Sequence, residues 1–192
     1  YADLAELAFG CGADLVELNL GCPNVWQGNA QKRIACFDPV LVIEVLRCVE
    51  EKVGVEVKVS VKVSPFSDPF ALVQAVQVIN AFKVVKAVTA VNTFPNAFAY
   101  NGAKQTITPA GGLAGFAGPA MKPIGLGQVR QLRGLLSERI QIIGVGGITN
   151  GQDIREYLNS GAVVTQVATA YLERHEQVFG SLLTELLKTE HE

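Results

Sequence analysis

Two short segments of the chain carry residue types whose spacing could do chemistry. Glu17-Leu18-Asn19-Leu20-Gly21-Cys22-Pro23-Asn24 places a cysteine just past an apolar run, on a loop rich in Gly, Asn and Gln, with an asparagine on either side. Asn19 and Asn24 can donate to and accept from a planar, amide-like ligand, and Cys22 can present its thiol to the same ligand. An isolated cysteine in a tight turn reads as a small apolar filler; the flanking asparagines and the strand-end position favour chemistry instead. The second segment, Ile142-Ile143-Gly144-Val145-Gly146-Gly147-Ile148, sets backbone N–H groups at a strand end just before a helix. Phosphate can be held there without side-chain charge. Val167-Ala168-Thr169-Ala170 repeats the arrangement one unit later.

These residues need elements to position them. Apolar periodicity predicts helices over 2–9, 39–53, 68–82, 124–136, 151–160 and 171–188, with Asp38 capping the second and Pro39 opening it. It predicts strands over 15–20, 55–63, 84–93, 140–145 and 163–168, while 94–123 holds four of the eight prolines and reads as irregular. Five strands, each followed by a helix, imply a parallel sheet with helical crossovers.

Both an open doubly wound sheet and a (β/α)₈ barrel satisfy that order. Asn19, Lys62, Asn92 and Gly146 all fall at C-terminal strand ends, where barrels assemble their active sites. Between 55 and 63, valines alternate with polar residues, and a polar face is hard to satisfy in a sheet covered on both sides. In a barrel the valines face the helices and Lys62 points inward near the mouth. Lys58 would then lie deeper in the barrel, with Glu17 or Glu56 as its partner. A full barrel typically takes about 250 residues. We therefore read residues 1–192 as the C-terminal portion of a single barrel domain, a partial (β/α)₈ TIM barrel of about five βα units corresponding to strands 4–8. The N-terminus, which reads as the middle of a helix without an initiator Met or signal pattern, fits that expectation.

Composition narrows the function classes. The chain has 192 residues, 49% of them apolar, and 16 basic against 18 acidic side chains. That apolar content excludes a disordered chain, and a formal charge of −2 disfavours a nucleic-acid binder. No apolar run is long enough to cross a membrane. Cys11, Cys22, Cys36 and Cys48 form no C-x-x-C pair and there are two histidines, so we expect no metal site and reduced thiols in a cytoplasmic protein. His175 and His191 read as surface residues.

The chain resembles the dihydroorotate dehydrogenase family. The matching pieces are residues 17–25 (E-L-N-L-G-C-P-N-V), 61–65, 90–93 (A-V-N-T), 111–115 with Met121-Lys122-Pro123, 140–153 (I-Q-I-I-G-V-G-G-I-T-N-G-Q-D) and 166–170, all in family order. The resemblance implies an FMN-containing barrel that oxidises dihydroorotate to orotate in pyrimidine biosynthesis. By position it makes Cys22 the base that takes a proton from the substrate ring, with cysteine rather than serine pointing to the soluble class. It makes Asn19, Asn24, Asn92 and Thr93 substrate-binding residues and Lys62 the lysine beside the flavin. Gly146, Gly147, Ala168 and Thr169 would bind the FMN phosphate, and Gly112, Gly115 or Gly118 would approach the flavin. Desaturating a C–C bond needs a base and a hydride acceptor, and no protein side chain supplies the second.

The segment before Lys122 is a few residues longer than the family's usual Gly-rich loop. The part of the family's barrel before the fourth strand, which supplies a second flavin lysine, a substrate asparagine and three barrel walls, has no counterpart here. The resemblance also implies a homodimer, with an electron-transfer subunit where NAD is the acceptor. Rival expectations are a tRNA dihydrouridine synthase, a dihydropyrimidine dehydrogenase-like flavin barrel, or a fragment that is inactive by itself or serves as a binding module.

Overall fold

The computed structural model describes residues 1–107 and 109–188. Five strands form one parallel sheet in sequential order: β1 (Val16–Asn19), β2 (Val59–Val63), β3 (Val85–Ala90), β4 (Gln141–Val145) and β5 (Val164–Gln166). Helices α1 (Ala2–Gly10), α2 (Pro39–Val53), α3 (Pro69–Ala81), α4 (Lys122–Leu135) and α5 (Gly151–Ser160) alternate with them, and α6 (Thr169–Arg174) and α7 (Gln177–Lys188) follow. Strictly neighbouring parallel strands joined by helices are the arrangement of a partial (β/α)₈ barrel. The sheet's edges are β1 and β5.

Local sequence starts and stops the helices. Asp38 accepts from the N–H groups of Val40 and Leu41, and Gly54, at φ 78°, ends α2. Asp68 caps α3 through Phe70. Asn150 and Asp153 form a reciprocal capping box on α5, which Gly161 closes in the left-handed conformation.

The alternation in β2 does what the sequence implies. Val59, Val61 and Val63 join the buried cluster that includes Leu46 and Val49 of α2 and Leu72 and Ile79 of α3. Ser60 and Lys62 occupy the opposite face, where Ser60 meets Thr89 of β3. The strand is shorter than expected, however. Val16, Val59 and Val85 sit level across three strands, so the strand proper begins at Val59, and Lys58, among the described residues, keeps only its carbonyl's bond from Val16 N at 3.1 Å. Lys58 and Glu56 are exposed before the strand rather than deep in the barrel, and Glu17 pairs with Lys62 instead. Lys58→Ala is accordingly expected to leave stability within about 0.5 kcal/mol of wild type in a thermal or urea melt.

The helix expected over 171–188 is two. The chain turns at His175, φ 50°, because Glu173-Arg174-His175-Glu176-Gln177 offers no apolar residue to hold a continuous helix on the core. The turn lets α7 pack along α5. His175 is exposed; His191 lies outside the described residues. The irregular stretch after β3 carries two small antiparallel pairs, Phe94–Ala97 with Ala114–Phe116 and Tyr100–Asn101 with Lys104–Gln105. Among the described residues, no helix is long and apolar enough to cross a membrane, and no cluster of three metal-ligating side chains occurs.

Candidate active site

The C-terminal ends of the strands converge on a cavity of about 100 Å³. Lys62, Asn92, Thr93, Gly118, Gly146, Gly147, Ala168 and Thr169 all line it, as do Gln166 and Glu173. Residues spread over more than a hundred positions are thus brought to one mouth by parallel strands that end together.

At one end lies the turn after β4. Gly147 takes φ 70°, and a Cβ there would stand 2.6 Å from the Lys122 amide nitrogen and 2.7 Å from the Pro119 carbonyl oxygen. The N–H groups of Gly147 and Ile148 donate to no protein group among the described residues, although Ile148 is buried. Unpartnered amides at a glycine turn, one on half-buried Gly147 and one on buried Ile148, suit an anion with several acceptor oxygens, such as a phosphate.

Side chains hold this turn on each side. Tyr157, fully buried, donates its hydroxyl to Gly146 O at 2.8 Å, and burial pushes that hydroxyl's pKa up. Asp153 Oδ2 accepts from Thr149 N at 2.7 Å and Asn150 N at 3.2 Å, while its Oδ1 takes Lys122 Nζ at 2.7 Å. Arg174 donates to Thr149 O.

Burial alone would raise the Asp153 carboxyl, but Lys122 and the Thr149 amide and hydroxyl outweigh it and hold it below the usual aspartate range. A depressed folded-state pKa stabilises above the unfolded value and is lost as pH falls through the folded one. Asp153→Asn should therefore lower the melting temperature at neutral pH, with the gap from wild type closing as pH falls below the ordinary aspartate range.

Towards the other strands, the polar groups form a connected set. Asn92 Nδ2 donates to Asn19 Oδ1 at 2.9 Å, and Asn92 Oδ1 accepts from Thr93 N at 2.8 Å. By count, Asn19 keeps both amide protons free and Asn92 keeps one. Lys62 Nζ lies 3.4 Å from both Glu17 Oε1 and Gln166 Oε1.

Cys22 lies on the loop after β1, three residues past Asn19 at the strand's end, and is half-buried, whereas Cys11 and Cys48 are exposed and Cys36 is buried. Nearby, the Tyr1 hydroxyl donates to Asn19 O at 2.9 Å, and burial, with a smaller electrostatic contribution from Cys22, raises its pKa. Cys36 plays another part. Its Sγ accepts from Ser64 N at 3.3 Å, and burial pushes the thiol up to about 12.

Five candidates, Asn19, Cys22, Asn24, Gly112 and Gly115, do not line the cavity. Asn24 is exposed and lines a separate space of about 660 Å³ with Trp26 and Leu113. Gly115 packs on Thr93, where a Cβ would run into the threonine side chain, and Gly112 packs on Phe98; of the three glycines Gly118 lines the cavity. Tyr157, Thr89, Asp153 and Arg174 were not singled out by sequence. The capping box over 150–153 and a polar residue inside the apolar β3 run are the signals that point to Asp153 and Thr89.

Comparison with known proteins gives the family and the fold. The family model for dihydroorotate dehydrogenase matches residues 2–189. The catalytic subunit of dihydroorotate dehydrogenase B (NAD(+)) from Methanopyrus kandleri is 36% identical over 179 residues, covering 93% of this chain and 54% of that protein. A probable dihydroorotate dehydrogenase A (fumarate) from Enterococcus faecalis is 34% identical, covering 90% and 54%. The crystal structure of the Eimeria tenella DHODH in complex with ferulenol superposes with a TM-score of 0.75 at 17% identity, over 97% of this chain and 53% of that one. The chain thus spans about half the length of the relatives it matches. With the family model running through β1 to α7, the chain belongs to the dihydroorotate dehydrogenase family.

Proposed function

We propose that the protein containing this chain oxidises dihydroorotate to orotate with FMN, and that residues 1–192 form the C-terminal portion of its barrel. The observation that supports this most is the single cavity whose one end offers the free amides of Gly147 and Ile148 and whose other end offers Lys62 and Asn92. The first end fits a phosphate; the second fits a polar ring system. When bound, FMN would supply the hydride acceptor. Gly147, Ile148 and Thr169 would hold its phosphate and Lys62 would face its ring, with Gly118 beside it. Asn19 and Asn92, already locked to each other, would present their free amide protons to the substrate's carbonyl and carboxylate oxygens. Thr93 would fix Asn92, and Asn24 would close over the substrate from the loop. Cys22 Sγ would take the ring proton.

The same reading includes a homodimer in the cytoplasm and an electron-transfer subunit of the kind that the name "catalytic subunit" of the Methanopyrus relative implies for that protein. Four free thiols suit a reducing compartment.

The test mixes the full-length, FMN-loaded protein anaerobically with dihydroorotate, dihydrouracil, or a dihydrouridine-bearing tRNA. Loss of flavin absorbance with dihydroorotate alone is the expected result. Loss with dihydrouracil or the tRNA instead would assign the site to another reduced pyrimidine. In the same protein Asn92→Ala should weaken orotate binding, read as perturbation of the flavin spectrum, by about 10-fold or more. That is the scale of one lost hydrogen bond of about 1.5 kcal/mol together with the loosened Asn19.

A further inference from the structure

Glu17 is gripped by two other strands. Its Oε2 accepts from Thr89 Oγ1 at 2.6 Å and from Gln166 Nε2 at 2.9 Å. Thr89 commits its proton to that bond, so the 2.8 Å contact with Ser60 Oγ has Ser60 as the donor. Lys62 is held more loosely. Both of its contacts, Glu17 Oε1 and Gln166 Oε1, are at 3.4 Å, well beyond the usual 2.7–2.9 Å of a charge-assisted bond, about half an ångström too long. The carboxylate is anchored and the ammonium can move. Lys62 lines the cavity, and the two side chains are only 22% and 23% exposed, so water screens their charges incompletely.

We infer that Glu17 is a positioning residue: anchored by Thr89 and Gln166, it holds the Lys62 ammonium at the cavity wall and offsets its charge until an electron-rich group enters. The identity of that group as FMN rests on the function proposed above. Glu17 does not touch the flavin in this account. It sets how much of the positive field of Lys62 the ring experiences.

The test is a double-mutant cycle in the full-length protein: wild type, Glu17→Gln, Lys62→Met and both together. Glu17→Gln keeps the shape and can still accept from Thr89, but it removes the charge. The reduction potential of bound FMN, set with electrode mediators rather than with dihydroorotate, should move positive in Glu17→Gln and negative in Lys62→Met. In the Lys62→Met background the Glu17→Gln shift should shrink well below its size in the wild-type background. Melting temperatures of the four flavin-free proteins should be non-additive as well, since the pair forms without ligand. A potential that Glu17→Gln leaves unmoved, or shifts that add in both the melts and the potentials, would overturn the inference. If the cycle is non-additive but dihydroorotate fails to reduce the flavin, the proposed function falls and the positioning role stands.

Discussion

Cys22→Ala in the full-length flavoprotein is expected to bind orotate much as wild type does, yet to be reduced by dihydroorotate about 10²–10⁴-fold more slowly, the usual loss for a missing general base. The argument is one of roles. Cys22 lies on the loop after β1 and touches neither the phosphate end of the cavity nor the Asn19–Asn92 bond, so its loss leaves the binding groups in place. Cys22→Ser should retain a small part of the rate, because a hydroxyl takes the proton only with help from a neighbour or water. Cys36→Ala is the control. It strands the buried Ser64 N–H and should cost about 1–3 kcal/mol of stability without slowing the surviving protein. Stopped-flow bleaching of the three variants decides it. A wild-type rate in Cys22→Ala would return that cysteine to the role of a small residue in a turn.

Gly147→Ala should be the most damaging small substitution in the cavity wall. Its φ of 70° costs an alanine about 1–2 kcal/mol. Its Cβ would also overlap two backbone atoms, the Lys122 nitrogen and the Pro119 oxygen, and overpacking against groups that cannot swing aside costs about 1–3 kcal/mol more. The turn must shift, and with it the free amides of Gly147 and Ile148. The variant should melt earlier and retain little FMN. Gly118→Ala is the control without the clash, since φ there is 95° but the nearest atom to its Cβ is Thr169 Cγ2 at 3.9 Å. It should show the conformational cost alone. Equal losses of FMN and stability in the two variants would refute the clash argument.

Much of this site was legible in the sequence because strand ends and alternation are local signals. Asn19, Lys62, Asn92 and Gly147 each sit where an apolar run stops, and parallel strands that stop together must bring them to one mouth. The pairing of Glu17 was not legible. It depends on the register that sets Asn19 beside Lys62 and Val16 level with Val59, and the same register leaves the Lys58 side chain exposed just before β2 begins. Tyr157 was equally hidden. Its ring needs the bare backbones of Gly125 and Gly144, where a Cβ would collide with it, and those lie on α4 and β4 rather than near it in the chain. Between Phe94 and Phe116 the outer strand pair joins residues far apart in sequence, and the inner one, Tyr100–Asn101 with Lys104–Gln105, is too short to show a period. The break at His175 rests on one residue in a left-handed conformation, which a polar stretch permits but does not dictate.

The most direct test is an anaerobic titration of the full-length, FMN-loaded protein with dihydroorotate, following flavin absorbance and orotate together. The account predicts that the yellow absorbance disappears and that about one orotate forms per flavin reduced, as a two-electron hydride transfer requires. A flavin that dithionite bleaches but dihydroorotate leaves fully oxidised, with no orotate formed, would contradict it.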